Sequence, residues 1–405
     1  MGSRTLTALA LAGGLALAGC GGTNSSSGGS SSGSGAADKG PIKIGAVVPL
    51  TGPYSPLGTG DKAAIEQEVK RINAAGGVLG RQLDVTVVDD KSDVTQSVTE
   101  YNKMAADKSY SAILSSSNAS ASAAVGPSAI STKTPTLALS PISAYSSGSN
   151  PYAFTVPATP EVYSAKMAEY FAAAGIKTLA IAYNGKDIYG KTGNESTKAA
   201  VAKNGINVVV DEPIDPGSTD FTPLIQKVKD AKPDAFLVWC AGPAPVIITK
   251  QFQGAGIKLV LTGANASNLF TKPAGPAAEG VVMGSSIAVA GAEVPAGPLK
   301  SEIDTFAQPW LTANSNVYPP QFAFDGVTGI RLLKAAIEKA KSSDREAIRN
   351  ALESLDVLTP IGHFTYSKTD HAGLQADAIA MVEVKGGAFV ATDFTKQQFA
   401  TNLPK

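Results

Sequence analysis

Residues 113–122 read ILSSSNASAS, two large apolar side chains followed by short ones, most of them carrying a hydroxyl or an amide. A brush of short polar groups between a strand and a helix has two readings. It is a solvated turn closed by an N-cap, because Ser and Asn are common turn and cap residues, or it is a cradle for a small ligand. Chemistry beyond binding has little to work with. The chain has 2 histidines, His363 and His371, both near the C-terminus, so histidine metal sites and most acid–base arrangements are disfavoured. No G-x-S-x-G elbow occurs. The Gly-rich run TGPYSPLGTG lacks the G-K-[ST] ending of a phosphate-binding loop. These residue types point to binding rather than catalysis, with no metal and no cofactor.

The N-terminus bears on compartment. Arg4 precedes an apolar run over residues 6–18 that ends LAGC at Cys20, too short for the ~20 residues that span a bilayer. That is the pattern of a secretory signal with a lipoprotein cleavage box, so residues 1–19 are expected to be removed and Cys20 lipidated. The adjoining GGTNSSSGGSSSGSGAADKG has almost nothing able to bury apolar area and reads as a flexible Gly/Ser linker over residues 20–40. Lys plus Arg equals Asp plus Glu, 34 each, without a basic run, which argues against a nucleic-acid partner. Membrane association is expected through the lipid anchor only. With Cys20 assigned to lipid, Cys240 in DAFLVWC stands alone and reads as a small buried hydrophobe.

The serine brush needs a scaffold to position it. From Pro41 the chain alternates β-rich runs (IKIGAVVPL, LDVTVVDD, YSAILSS, TPTLALS) with helical stretches, the first over about 59–74. Near-continuous Val, Ile and Leu strands separated by helices indicate parallel βαβ units with both sheet faces covered. A second such series runs through TLAIAYN, INVVVDEPI, DAFLVWC and LVLTGA, with a helix over about 221–231. Long helices over about 299–313 and 322–341 then precede IGHFTYS and a hairpin turning at Gly386-Gly387. The class is α/β. The body exceeds the roughly 250–300 residues at which one core stops growing, so two lobes are expected. In open α/β sheets ligands sit outside the carboxyl ends of strands, and the brush lies at such an end.

Six segments, IKIGAVVPLTGPYSPLGTG, EVKRINAAGGVLGRQLDVTVVDDKSD, NPYAFTVPAT, DIYGKTG, DPGSTDFTPLIQKVKDAKPDAFLVW and FAFDGVTGIRLLKAAIEKA, occur in this order. Together they resemble the type I periplasmic-binding-protein family that includes branched-chain amino acid receptors of ABC importers. The resemblance implies two Rossmann-like lobes with mostly parallel sheets, joined by three crossovers, here near Thr155, Met283 and Leu358. Lobe 1 is then 41–155 with 284–358, and lobe 2 is 156–283 with 359–405. It also implies a monomer that holds a small-molecule ligand between its lobes and delivers it to ABC permease subunits.

Residue by residue, the resemblance puts Asn118, Ala119 and Ser120, and the loop at 140–144 with Ile142 and Ser143, around a ligand carboxylate. Neutral donors at a helix N-terminus suit an anion. Tyr189 in DIYG matches a family tyrosine that packs on ligand, or else packs at a helix start. Trp239 either fills the cleft or turns into the core, and Tyr54 is placed at the cleft rim. The family's second-lobe tyrosine falls at Ala241, and the acid that pairs with an ammonium falls at Ala264 or Asn265, so no negative charge is expected there. A desolvated ammonium left unpaired costs several kcal/mol in order of magnitude. The expected ligand is therefore a small carboxylate or a neutral or aromatic compound; the alternatives are a branched-chain or other amino acid receptor, or a ligand-sensing module without transport.

Overall fold

The computed structural model describes residues 40–404; the expected signal segment, Cys20 and most of the Gly/Ser linker lie outside the described residues. The first sheet is built from β1 (Ile42–Val48), β2 (Leu83–Asp89), β3 (Tyr110–Ser115), β4 (Thr136–Ala138) and β5 (Ala153–Thr155), in the order β2-β1-β3-β4-β5 and parallel throughout. Ile42, Ile44, Ile113 and Leu114 are fully buried, as a parallel sheet covered on both faces requires.

The second sheet repeats that design with β6 (Thr178–Asn184), β7 (Asn207–Ile214), β8 (Ala235–Trp239), β9 (Lys258–Thr262) and β10 (Val282–Ser286). A small antiparallel pair, β11 (Asp356–Thr359) and β12 (Gly362–Thr365), precedes β13 (Ile379–Lys385) and β14 (Ala388–Ala391). The order is β14-β13-β10-β9-β8-β6-β7. Its parallel part has the same winding as the first sheet, with the chain reversing direction beside β6 as it does beside β1. β13 and β14 turn at Gly386 and Gly387, both at positive φ (57° and 78°), which a two-residue hairpin needs.

The expected helices appear with slightly different ends. The first is Ser55–Ala74, earlier by about one turn because Pro56 fits the first helical positions. Helices Pro298–Ala313, Gln321–Ala340 and Arg345–Leu352 bring the chain back to the first sheet. Gln321–Ala340 packs along Ser55–Ala74 so closely that a Cβ at Gly326 would fall 2.8 Å from the Asp61 carbonyl oxygen. Arg331 Nε donates to Glu68 Oε1 across the same contact at 2.8 Å. Arg345 fastens the next helix by donating to the carbonyls of Ala105, Asp107 and Tyr110.

Two expected crossover positions shift. Met283 lies within β10, whose pairing with β13 continues to Ser286, so residues 284–286 belong to the second sheet and not to the first lobe. Leu358 lies within β11. After the hairpin, Tyr366 Oη donates to the Thr155 carbonyl (2.7 Å) and Thr155 N donates to the His371 carbonyl (3.0 Å), so this stretch still clings to β5. The chain enters the second sheet at Ile379.

Candidate functional site

Both sheets end in loops that face each other, and a cavity lies between them. The walls from the first half are Tyr54 and Leu57 after β1, Ser117, Asn118 and Ala119 after β3, and Pro141 after β4. The walls from the second half are Asp187 and Tyr189 after β6, Ala241 after β8, and Gly263 and Ala264 after β9. Pro157, Tyr163, Gln321, Phe322 and Asp325 complete it. These are the carboxyl ends on either side of the reversal in strand order, where doubly wound sheets leave a crevice.

The loop that carries Tyr54 is held by Asp89, the last residue of β2. Asp89 accepts from Leu50 N (2.8 Å), Thr51 N (3.2 Å) and the Thr51 hydroxyl (2.7 Å), and these donors hold its carboxyl below the usual range against the opposing pull of desolvation. Tyr54 then reaches across the cleft. Its hydroxyl donates to Asp187 Oδ2 at 3.2 Å and receives Asn184 Nδ2 at 3.4 Å. Ile188 N donates to Ser120 Oγ at 3.2 Å, and Ser143 Oγ donates to Glu161 Oε2 at 2.9 Å. These bonds join the two halves of the chain.

The serine brush is mostly internal scaffolding. Ser115 and Ser122 share a hydrogen bond at 2.8 Å, Ser116 Oγ donates to Asp90 Oδ2 at 2.6 Å, and Ser117 Oγ donates to Asp61 Oδ2 at 2.5 Å. Asn118 caps helix Ala119–Ala124 by accepting from Ser120 N and Ala121 N, so the cap reading holds for its side-chain oxygen while the residue still borders the cavity.

Of the residues expected in the site, Tyr54, Asn118, Ala119, Tyr189 and Ala241 border the cavity. Ser120 and Ser143 instead join the halves through the bonds above. Ile142 is buried at the start of the short helix Ser143–Ser146 and packs with Tyr145 and Ala119. Trp239 turns inward: it is fully buried, its Nε1 donates to Thr197 Oγ1 at 2.8 Å, and a Cβ at Gly193 would strike its ring at 2.3 Å. A helix lying directly on a strand end needs glycine where the indole sits. Tyr189 borders the cavity above it, edge-on at 5.1 Å between ring centres. Asn265 faces away from the cavity and donates to the Cys240 carbonyl at 2.9 Å, so Ala264 is the wall residue.

Ala241, Ala264 and Asn265 bring no acid, as expected, but acids reach the cavity from other positions. Asp187 and Asp325 border the cavity, and Asp61 lies behind Ser117. None comes from the positions where an acid was sought, because they lie at a helix N-cap and on two helices rather than after β8 or β9. Asp187 is fully engaged: Oδ1 accepts from Gly190 N at 2.8 Å, and Oδ2 from Asn184 Nδ2 at 2.6 Å as well as from Tyr54. Burial nevertheless raises its pKa. Asp325 accepts from Gln321 Nε2 at 3.0 and 3.2 Å, and burial lifts its carboxyl to about 8. Gln321 is fixed in turn by Ser286 N, which donates to its Oε1 at 2.8 Å. Asp61 is pushed well above the usual range by burial and further by Asp325, against the pull of the Ser117 hydroxyl. Among the described residues, no Lys, Arg or His borders the cavity.

A two-lobed α/β body enclosing a cavity between facing strand ends defines a ligand-binding protein of the periplasmic type. Residues 41–388 match the profile of the periplasmic binding protein family, and the chain belongs to that family. It is similar to a Leu/Ile/Val-binding protein of Rhizobium johnstonii, 26% identical over 87% of this chain and 94% of that one. It is also similar to a leucine-, isoleucine-, valine-, threonine- and alanine-binding protein of Pseudomonas aeruginosa, 27% identical over 81% of this chain and 86% of that one. Among solved structures, an extracellular ligand-binding receptor from Rhodopseudomonas palustris superposes with a TM-score of 0.80 at 25% identity, over 87% of this chain and 99% of that one. Among the described residues no helix is long and apolar enough to cross a membrane.

Proposed function

We propose that this protein is the extracytoplasmic substrate-binding component of an ABC importer, which encloses a small organic molecule between its lobes and presents it to permease subunits. The cavity carries this reading, because both halves of the chain wall it and hydrogen bonds between them close it. A binding site built this way couples capture to the relative position of the lobes, which a membrane partner can read. The ligand class moves from the carboxylates and neutral compounds expected of the sequence toward amine-bearing molecules, aliphatic amino acids among them. Two acid side chains on the walls can pair with an ammonium once deprotonated, and no basic side chain borders the cavity among the described residues to pair with a lone anion; relatives named for amino acids support the same direction.

The protein acts as a monomer held at the membrane by lipid on Cys20. The LAGC sequence supports that anchor, and Cys20→Ala is expected to move the protein from the membrane fraction to the soluble one. For the ligand, a thermal-shift panel of amino acids, amines, amides and carboxylic acids is the test. A ligand selective for the folded state stabilises it by about 2.7 kcal/mol at 100 times Kd. Stabilisation by no small molecule, or turnover of one, would overturn the carrier reading.

A further inference from the structure

The family fold does not by itself explain why two carboxyls are buried together where helix Ser55–Ala74 meets helix Gln321–Ala340. Asp61 and Asp325 are 0% and 1% exposed. The approach at Gly326 brings their helices into backbone contact. Asp325 borders the cavity, and Asp61 stands behind Ser117, which also borders it. The donors supplied by the protein are neutral and few: one amide from Gln321 for Asp325, one hydroxyl from Ser117 for Asp61. Among the described residues, Asp61 Oδ1 has no hydrogen-bond partner. Two carboxyls this buried, Asp325 pushing Asp61 up further and no cation beside them among the described residues, cannot both ionise. Such a pair is costly unless something else completes it.

We propose that Asp325, backed by Asp61, is the docking point for a positively charged amine on the ligand, and that the amine displaces a proton from this pair as it binds. The balance is simple. One carboxylic acid O–H breaks, its proton leaves to solvent, and the ammonium replaces that proton's charge with N–H···O bonds to the carboxylates. The other titratable groups facing this corner do not compete for the amine. Tyr163 from helix Pro160–Ala173 is pushed far above its usual range by burial, so it stays neutral. Tyr189 is likewise held neutral by burial. Asp187 already accepts from Tyr54, Asn184 and Gly190. A charge-assisted bond to a carboxylate that protein donors leave under-satisfied is stronger than one to a neutral acceptor.

This proposal rests on the carrier reading, and matched probes separate the two. L-Leucine is compared with 4-methylpentanoate, and 3-methylbutylamine with 3-methylbutan-1-ol, by calorimetry at pH 7 in two buffers of different ionisation heat. The expected result is that at least one amine binds tenfold or more tighter than its partner lacking nitrogen, with net proton release. Asp325→Asn should cost that amine at least tenfold and abolish the release, and Asp61→Asn serves as the second variant should the first fail to fold. Tight binding of an acid or alcohol with no advantage for the amine overturns the docking proposal and leaves the carrier reading standing. So does amine binding without proton release, or with release that survives both substitutions. Binding of no probe overturns the docking proposal, and if the wider panel also gives none, the carrier reading falls with it.

Discussion

Tyr54 and Asp187 occupy corresponding places in the two halves of the molecule, each in the loop after the first strand of its sheet, and they meet across the cleft through a 3.2 Å hydrogen bond. The bond exists only when the strand ends face each other closely. Asp187 keeps Gly190 N and Asn184 Nδ2 without it, so the helix it caps does not depend on Tyr54. The contact is thus a latch on closure rather than part of either lobe's own fold.

Tyr54→Phe is therefore expected to leave the stability of the ligand-free protein nearly unchanged while weakening the closed state by about 1 kcal/mol, the net worth of one such bond. Stopped-flow dissociation should speed up roughly fivefold, and small-angle scattering without ligand should report a larger radius than wild type. An unchanged dissociation rate would remove the latch role.

Asp325 makes stability depend on pH in a direction opposite to most carboxylates. Its carboxyl titrates at about 8 in the fold, raised by burial, but near 3.9 in an unfolded chain. Between these values the folded state holds a proton that the unfolded state has released, so stability falls as pH rises, by up to about 1.4 kcal/mol per pH unit. The contribution is complete below the unfolded value and gone above the folded one. Asp61, also raised by burial, acts in the same sense. His371 acts on the other side: burial lowers its pKa, so it costs stability as pH falls below about 6.5. Denaturant midpoints of the ligand-free protein at pH 7, 8 and 9 avoid that overlap. They should decline in wild type and decline less steeply in Asp325→Asn, where Asp61 still acts; equal slopes would show that Asp325 ionises normally.

Trp239 tests the core reading of a residue that sequence left between cleft and core. The indole is fully buried beneath Gly193 and bonded to Thr197. Trp239→Ala should cost about 3–5 kcal/mol by chemical denaturation without ligand, as large aromatic truncations in cores do. A loss under 1 kcal/mol together with a large loss of binding would return Trp239 to the ligand.

The features legible in the sequence are those governed by local physics. Unbroken Val and Ile runs such as IKIGAVV specify buried parallel strands, and Gly386-Gly387 specifies a two-residue turn, because both depend on neighbours along the chain. Tyr54, Ala119 and Tyr189 were legible because they come directly after strands. Asp61 and Asp325 were not, since each sits mid-helix and enters the site only through the packing of Ser55–Ala74 on Gln321–Ala340. Asn265 and Ala264 show the remaining difficulty. A three-residue helical turn decides which of two neighbours faces the cavity, and no periodicity in the sequence reports it.

Asn118 and Ser120, close together on the serine brush, should separate cleanly. Asn118 Oδ1 is occupied by two backbone donors at the start of helix Ala119–Ala124, so Asn118→Ala removes a cap and should cost about 1 kcal/mol of stability. Ser120 Oγ instead receives Ile188 N from the other lobe at 3.2 Å. Ser120→Ala should therefore spare stability and weaken ligand binding several-fold through closure, by about 0.5–1.5 kcal/mol. Combined with Tyr54→Phe it should not add in full, because the two bonds end on the adjacent residues Asp187 and Ile188. The decisive measurement is paired: denaturant midpoints without ligand and calorimetric Kd with it. Were Asn118→Ala to lower affinity tenfold at unchanged stability, its side chain would be a ligand contact rather than a cap.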